Sequence, residues 1–95
     1  HGNTIGALSV GGNIWRREPF KEMPIEATHI APCYAYRECR KDESEKEYGE
    51  RVASELETEI LRLGPERIAA FIAETVGGAT AGVIPPVQGY FERIR

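Results

Sequence analysis

The sequence lacks several features that would place it in a specialised class of protein. No apolar stretch approaches the roughly 20 residues needed to span a bilayer, and the first residues lack the basic-then-apolar layout of a signal peptide. The two cysteines, Cys33 and Cys39, are too few for a disulfide-stabilised secreted scaffold. Against 15 Asp and Glu residues there are 12 Lys and Arg residues, so the net charge is −3 and no basic stripe suits nucleic acid. These absences predict a cytoplasmic protein with reduced thiols and with neither nucleic acid nor membrane as a partner.

The residues that are present have an ordinary composition. Hydrophobic residues make up 41% of the chain and charged residues 28%, and a length of 95 residues suits one domain at most. The sequence starts at His1 without a methionine and stops within residues 89–95, where an amphipathic helix has begun without a stop signal. We therefore expect residues 1–95 to be one partial segment of a longer polypeptide, with no domain boundary inside it.

The most prominent stretch is the apolar run 68–73, which follows Arg67 and ends at Glu74. An apolar run without polar alternation is typical of a strand buried on both faces in a parallel sheet. Because open parallel sheets bind ligands beyond the carboxyl ends of their strands, Glu74 is a candidate ligand-binding residue. Alternatively, Glu74 is only the first polar residue after a buried strand and caps the following turn.

Local signals predict a β-α-β unit around one long helix. A capping box formed by Ser44 and Glu47 begins a helix with apolar residues at every fourth position, and the helix continues to Leu63. A short strand at residues 28–31 precedes this helix, and the strand at 68–73 follows it. The fold class predicted from these elements is α/β.

The remaining segments are predicted to be one short helix, the start of another, and loops. Asn3 or Thr4 can cap a helix that contains Ile5 and Leu8, and the glycines of residues 11–13 end it. A second helix begins within residues 89–95. The loops cover residues 14–28, 32–41 and 75–89.

Residue types that carry chemistry are present, but their spacings match no standard motif. The glycines within residues 77–82 are not followed by the Gly-Lys-Ser/Thr of a phosphate loop. His29, Cys33 and Cys39 lack the paired C-x-x-C spacing of a zinc site, and no G-x-S-x-G nucleophile motif occurs. No metal site is therefore expected, and periodicity alone leaves the function open.

Two segments resemble class III pyridoxal-phosphate-dependent aminotransferases. The sequence HGNTIGALS at residues 1–9 resembles the segment that follows the cofactor-stacking aromatic residue of that family. The sequence AFIAETVGGA at residues 70–79, continued through GVIPP at 82–86 to the Gly-Tyr pair at 89–90, resembles the family's glutamate-bearing strand and the turn after it. With the helix between them, the resemblance covers nearly the whole chain.

The resemblance implies part of the large domain of a fold-type I transaminase, a three-layer α/β domain whose mainly parallel sheet is covered by helices. It implies pyridoxal 5'-phosphate (PLP) as the cofactor, an amine or amino acid and a 2-oxo acid as substrates, and a homodimer. His1 and Gly2 would lie beside the cofactor, and Glu74 would match the family glutamate near the phenolic oxygen. Ala79 stands where many members have a second glutamate. In this respect the chain resembles the ω-amino acid:pyruvate and amine transaminases more than the ornithine or 4-aminobutyrate branch.

The resemblance also implies that the catalytic centre lies outside this chain. The lysine that binds the cofactor should lie beyond residues 1–95, because Lys21, Lys41 and Lys46 have no context that resembles it. We therefore expect no catalytic residue within the chain, an inactive isolated segment and an active full-length aminotransferase. The alternative hypothesis is a small non-catalytic α/β binding or interaction domain.

Overall fold

Helices account for the regular structure of the part of the chain that is described. The computed structural model describes residues 2–95, and His1 lies outside the described residues. Within 2–95 the chain forms α1 (Ile5–Val10), α2 (Ile14–Arg17), α3 (Ala35–Glu38), α4 (Glu45–Leu63) and α5 (Tyr90–Ile94), with 3-10 helices at Glu18–Phe20 and Pro65–Arg67.

The long helix α4 begins and ends where the sequence predicts. The Ser44 hydroxyl accepts a hydrogen bond from the Glu47 backbone N–H at 3.3 Å, and the Glu47 carboxylate accepts one from the Ser44 backbone N–H at 2.8 Å. These two bonds satisfy N–H groups that a helix N-terminus leaves without partners. The helix ends at Gly64, whose φ of 97° lies in the region that favours glycine.

The core lies between α4 and α5. Tyr48, Val52 and Ala53 of α4 pack with Tyr90 of α5, and Tyr48 is fully buried. Gly49 lets the chain before α5 approach closely, because a Cβ at this position would lie 2.8 Å from Val87 Cγ2. The predicted helix at the end of the chain is thus confirmed as α5, and its packing depends on a glycine of α4.

Polar groups of α4 hold the loop that precedes it. The Tyr48 hydroxyl accepts a hydrogen bond from the Tyr34 backbone N–H at 2.8 Å and donates one to the Pro32 carbonyl at 3.4 Å. Arg51 lies over the Tyr48 ring and forms a forked ion pair with Glu43, with N–O distances of 2.6 and 2.9 Å. Buried polar groups near the core are therefore paired with the backbone and with each other.

The predicted β-α-β unit is not found in the described residues. Residues 2–95 contain no β-strand; residues 28–31 and 68–74 have no regular secondary structure. Ile72 is 66% exposed, so the run at 68–73 is not buried on both faces as predicted. A strand exists only when a neighbour completes its hydrogen bonds, and the described residues give this run no such neighbour. The parallel sheet is therefore not confirmed.

The other local predictions have mixed outcomes. The short helix after Thr4 is confirmed as α1, although Gly11 ends it with a φ of −66° and not with the predicted left-handed conformation. The predictions of uninterrupted loops at 14–28 and 32–41 are wrong, because α2 and α3 lie within them. Residues 75–89 form a turn region whose regular pairing is one antiparallel bridge between Gly77 and Ile84.

Candidate functional site

Gly2 has a conformation and an environment that exclude a side chain. Its φ is +115°, a region that other residues rarely adopt. A Cβ at Gly2 would lie 3.2 Å from the Cβ of Ala7, one turn into α1. The residue is otherwise exposed to solvent. Its backbone therefore packs against α1 on one side and stays accessible on the other.

The helix next to Gly2 is fixed at its start by a side-chain cap. The Thr4 hydroxyl accepts a hydrogen bond from the Ala7 backbone N–H at 3.1 Å. Threonine is among the preferred residues at this position because its oxygen satisfies an N–H of the first turn. The position of Gly2 is thus coupled to that of α1, while the predicted cofactor neighbour His1 lies outside the described residues.

Glu74 is exposed, and it does not follow a strand. It lies in the segment between the second 3-10 helix and the bridge of Gly77 with Ile84, whose two backbone hydrogen bonds measure 3.0 and 2.9 Å. The interpretation of Glu74 as the end of a buried strand is therefore wrong in this structure.

Two surface grooves lie beside α4, and neither is lined by Gly2 or Glu74. The larger has a volume of about 640 Å³ and lies between α4 and α5, while the smaller, of about 220 Å³, lies between α4 and residues 29–31. Arg93 of the larger groove pairs with Glu57, and Lys46 pairs with Glu50 at 3.9 Å. These pairs offset the cationic charge that an anionic ligand would need.

The thiols and possible metal ligands do not form a reactive centre in residues 2–95. Cys33 and Cys39 are free thiols that pack against the core. Burial, and then the nearby Glu43 carboxylate, raises the pKa of the Cys39 thiol above 9.0, which disfavours the nucleophilic thiolate. No group of three or more His, Cys, Asp or Glu side chains in this range could hold a metal ion.

Ser9 belongs to no functional motif of the sequence, yet it is a buried polar residue that links two segments of the structure. Ser9 is buried with 1% exposure, and its hydroxyl accepts a hydrogen bond from the Ile25 backbone N–H at 2.9 Å. A serine that shares the inward face of α1 with Ile5 was the available signal, because a polar residue on an apolar face needs a partner. The identity of that partner depends on tertiary structure and could not be read from the sequence.

Two of the described residues offer groups that would suit the edge of a polar aromatic ring such as that of PLP. The backbone of Gly2 would permit close approach, and the carboxylate of Glu74 would accept hydrogen bonds. The three lysines, Lys21, Lys41 and Lys46, are exposed, whereas a lysine that attacks a carbonyl is usually activated by desolvation. Among residues 2–95, the groups that would suit such a ring are therefore supporting ones, and the three lysines lack an activating environment.

Curated relatives align with the whole chain, although no protein-family model matches it. An uncharacterised aminotransferase of Schizosaccharomyces pombe is 51% identical over 96 residues, covering 100% of this chain and 21% of that protein. A probable gamma-aminobutyrate transaminase 3 of Oryza sativa subsp. indica, named as mitochondrial, is 44% identical over 96 residues, covering 100% of this chain and 18% of that protein. The chain spans about one fifth of the length of these relatives.

Solved structures of ω-transaminases match the fold. The ω-transaminase of Pseudomonas jessenii in complex with PMP has a TM-score of 0.89 at 39% identity, covering 99% of this chain and 20% of that one. An ω-aminotransferase of Paracoccus denitrificans has a TM-score of 0.85 at 37% identity, covering 99% of this chain and 20% of that one.

Among residues 2–95, the structure has no helix with the length and apolar content of a membrane span. In sequence and in fold, this chain is similar over its whole length to about one fifth of the length of these aminotransferases, which include ω-transaminases and a gamma-aminobutyrate transaminase.

Proposed function

We propose that residues 1–95 are a segment of the cofactor-binding large domain of a PLP-dependent class III aminotransferase. The full-length enzyme would move an amino group from an amine or ω-amino acid to a 2-oxo acid. The observation that carries this proposal is the similarity over 99% of the chain, at a TM-score of 0.89, to an ω-transaminase in complex with PMP. The surrounding three-layer α/β domain with its parallel sheet is part of the same proposal.

Each proposed site residue has a supporting role at the cofactor. PLP, when bound, supplies an electron sink for the carbanion that forms on the substrate. The absence of a side chain at Gly2 leaves its backbone free to approach the ring, and His1 would lie next to it. The Glu74 carboxylate would accept hydrogen bonds at the phenolic edge and orient neighbouring groups, without transferring a proton. The lysine that holds the cofactor would come from outside residues 1–95.

The identity of residue 79 supports a preference for amines or ω-amino acids. Ala79 is exposed in the turn after Glu74, and it brings no negative charge to the place where many family members have a second glutamate. An arginine near this position of the full-length enzyme would then have no such partner and would be free to bind a substrate carboxylate. A solved structure named as an ω-aminotransferase supports this class of donor, whereas relatives named as gamma-aminobutyrate transaminases do not separate it from the 4-aminobutyrate branch.

The assembly and the compartment are also proposals. We infer a homodimer in the cytoplasm, with no membrane or nucleic-acid partner, from the resemblance and from the charge balance of the chain. The same resemblance supports an enzyme over the alternative of a small non-catalytic binding domain.

The role of Glu74 is tested by Glu74→Gln in the full-length protein. The substitution removes the charge and keeps the shape, so we expect weaker PLP retention and a slower single-turnover half-reaction with an unchanged fold. Glu66→Gln is a matched control, because Glu66 is an exposed carboxylate in the second 3-10 helix. Unchanged single-turnover rates and unchanged PLP affinity in Glu74→Gln would refute the proposed role.

A further inference from the structure

Ser9 is a buried polar residue on α1, with 1% of its surface exposed. The proposed chemistry makes no use of it. A hydroxyl taken out of water is destabilising unless it forms hydrogen bonds, so the bonds of a buried serine indicate what it holds in place. Both bonds of this hydroxyl are defined in the structure.

The Ser9 hydroxyl joins α1 to a segment far along the sequence. It donates to the Ile5 carbonyl within α1 at 2.6 Å and accepts from the Ile25 backbone N–H at 2.9 Å. The first bond is local and common for serine in a helix. The second crosses 16 residues and links α1 to the chain that follows α2 and the first 3-10 helix. Removal of the hydroxyl therefore removes a tertiary link as well as a local bond.

Gly2 lies against α1. Gly2 packs so closely on Ala7 that a Cβ would lie 3.2 Å from the Ala7 Cβ. Between them, the Thr4 cap binds the Ala7 backbone N–H at 3.1 Å. A displacement of α1 would therefore carry the backbone of Gly2 with it.

We propose that Ser9 is a positioning residue for the cofactor. Its bond with Ile25 holds α1, and α1 holds the Gly2 backbone at the ring of PLP. This inference rests on the proposed function, which places Gly2 beside the cofactor. Ser9 acts through α1, so its loss changes how the cofactor is held and not the chemistry that the cofactor supplies.

The test uses Ser9→Ala in the full-length protein, with PLP affinity measured on the apoprotein by fluorescence titration. We expect binding to weaken about fivefold, the effect of one neutral hydrogen bond, and the visible circular dichroism of the bound cofactor to fall. The matched control is Thr58→Ala, which removes an exposed hydroxyl that donates to the Ser54 carbonyl four residues earlier at 3.2 Å. Thr58→Ala should leave both readouts unchanged.

A second variant keeps the inference testable if Ser9→Ala does not fold. Ser9→Cys retains a side chain of similar size with much weaker hydrogen bonding, and we expect a smaller loss of PLP affinity in the same direction. Folded variants with a lower melting temperature but unchanged PLP affinity and circular dichroism would overturn the positioning role alone. A wild-type protein that binds no PLP would instead refute the proposed function, and this inference with it.

Discussion

Gly49 is the residue at which α4 and the chain before α5 approach most tightly. A Cβ there would meet Val87 Cγ2 at 2.8 Å and the Gln88 carbonyl oxygen at 3.1 Å. Replacing a helical glycine with alanine by itself stabilises a helix by roughly 1 kcal/mol. Overpacking a core costs about 1–3 kcal/mol. Since the new Cβ would overlap with a backbone atom as well as with a branched side chain, we expect the cost of this steric overlap to exceed the gain in helix propensity.

Gly49→Ala should therefore destabilise the packing of α5 on α4, by about 1 kcal/mol net. Hydrogen exchange of the α4 and α5 amides in the full-length protein measures this, and protection should fall in both helices. Gly12→Ala is the control, because a Cβ at Gly12 meets nothing within 4 Å. Protection that rises in Gly49→Ala would show that helix propensity is the larger effect.

Individual site residues were predictable from the sequence only where a local pattern identifies them. Glu74 stands out because it ends an apolar run, but its surroundings depend on neighbours that the sequence does not specify, and the structure has it exposed in an irregular segment. Ser9 was missed because its main partner, Ile25, is 16 residues away. The hydrogen-bond partners of a residue can be predicted from the neighbouring sequence only when they lie within one helical turn of it.

An ion pair between α4 and the loop before it helps to hold that loop in place. Arg51 binds Glu43 in a forked arrangement, and its guanidinium also donates to the Glu38 carbonyl at 3.3 Å. The Glu43 side chain is only 10% exposed. The Arg51 hydrogen bond lowers the pKa of Glu43 from 4.5 to about 2. The folded state therefore favours the ionised carboxylate.

The sign of this shift gives a pH dependence. Because the pKa of Glu43 is lower in the folded state, its ion pair with Arg51 stabilises that state fully at pH values above the unfolded pKa of 4.5. This stabilisation is lost as the pH falls to about 2. We expect hydrogen-exchange protection of the first half of α4, corrected for intrinsic rates, to decrease across that window. Glu43→Gln should show weaker protection at neutral pH and less change across the window. The same pH dependence in wild type and Glu43→Gln would exclude this ion pair as its source. Glu22→Gln is the control, because Glu22 is exposed in a turn, and it should show the pH dependence of the wild type.

The elements that were predicted correctly are those whose signals are local. α4 was predicted with its cap because Ser44, Glu47 and Gly64 each act within one turn. The strands predicted at 28–31 and 68–73 are not formed in residues 2–95, because strand pairing is a nonlocal property and an apolar run adopts irregular structure without a neighbour. The short helices α2 and α3 were missed because four residues give almost no periodicity.

At the scale of the molecule, the chain is more open than an independent domain. Its radius of gyration is 14.3 Å, compared with about 12 Å expected for a compact domain of this length. Large apolar side chains are exposed, among them Trp15 at 87% and Val83 at 82%. Surfaces of this kind are typical of faces that pack against further protein. This shape agrees with a chain that spans about one fifth of the length of its relatives.

The proposed function makes this segment a part of a PLP-dependent aminotransferase that supports the cofactor without supplying the catalytic lysine. The most direct measurement is the absorbance of the purified full-length protein with PLP, before and after an ω-amino acid donor and then a 2-oxo acid are added. We predict a visible band of lysine-bound cofactor that the donor bleaches and the 2-oxo acid restores, with the attached lysine mapped outside residues 1–95 after borohydride reduction. A full-length protein that binds no PLP, or a reduced lysine mapped to Lys21, Lys41 or Lys46, would contradict the account.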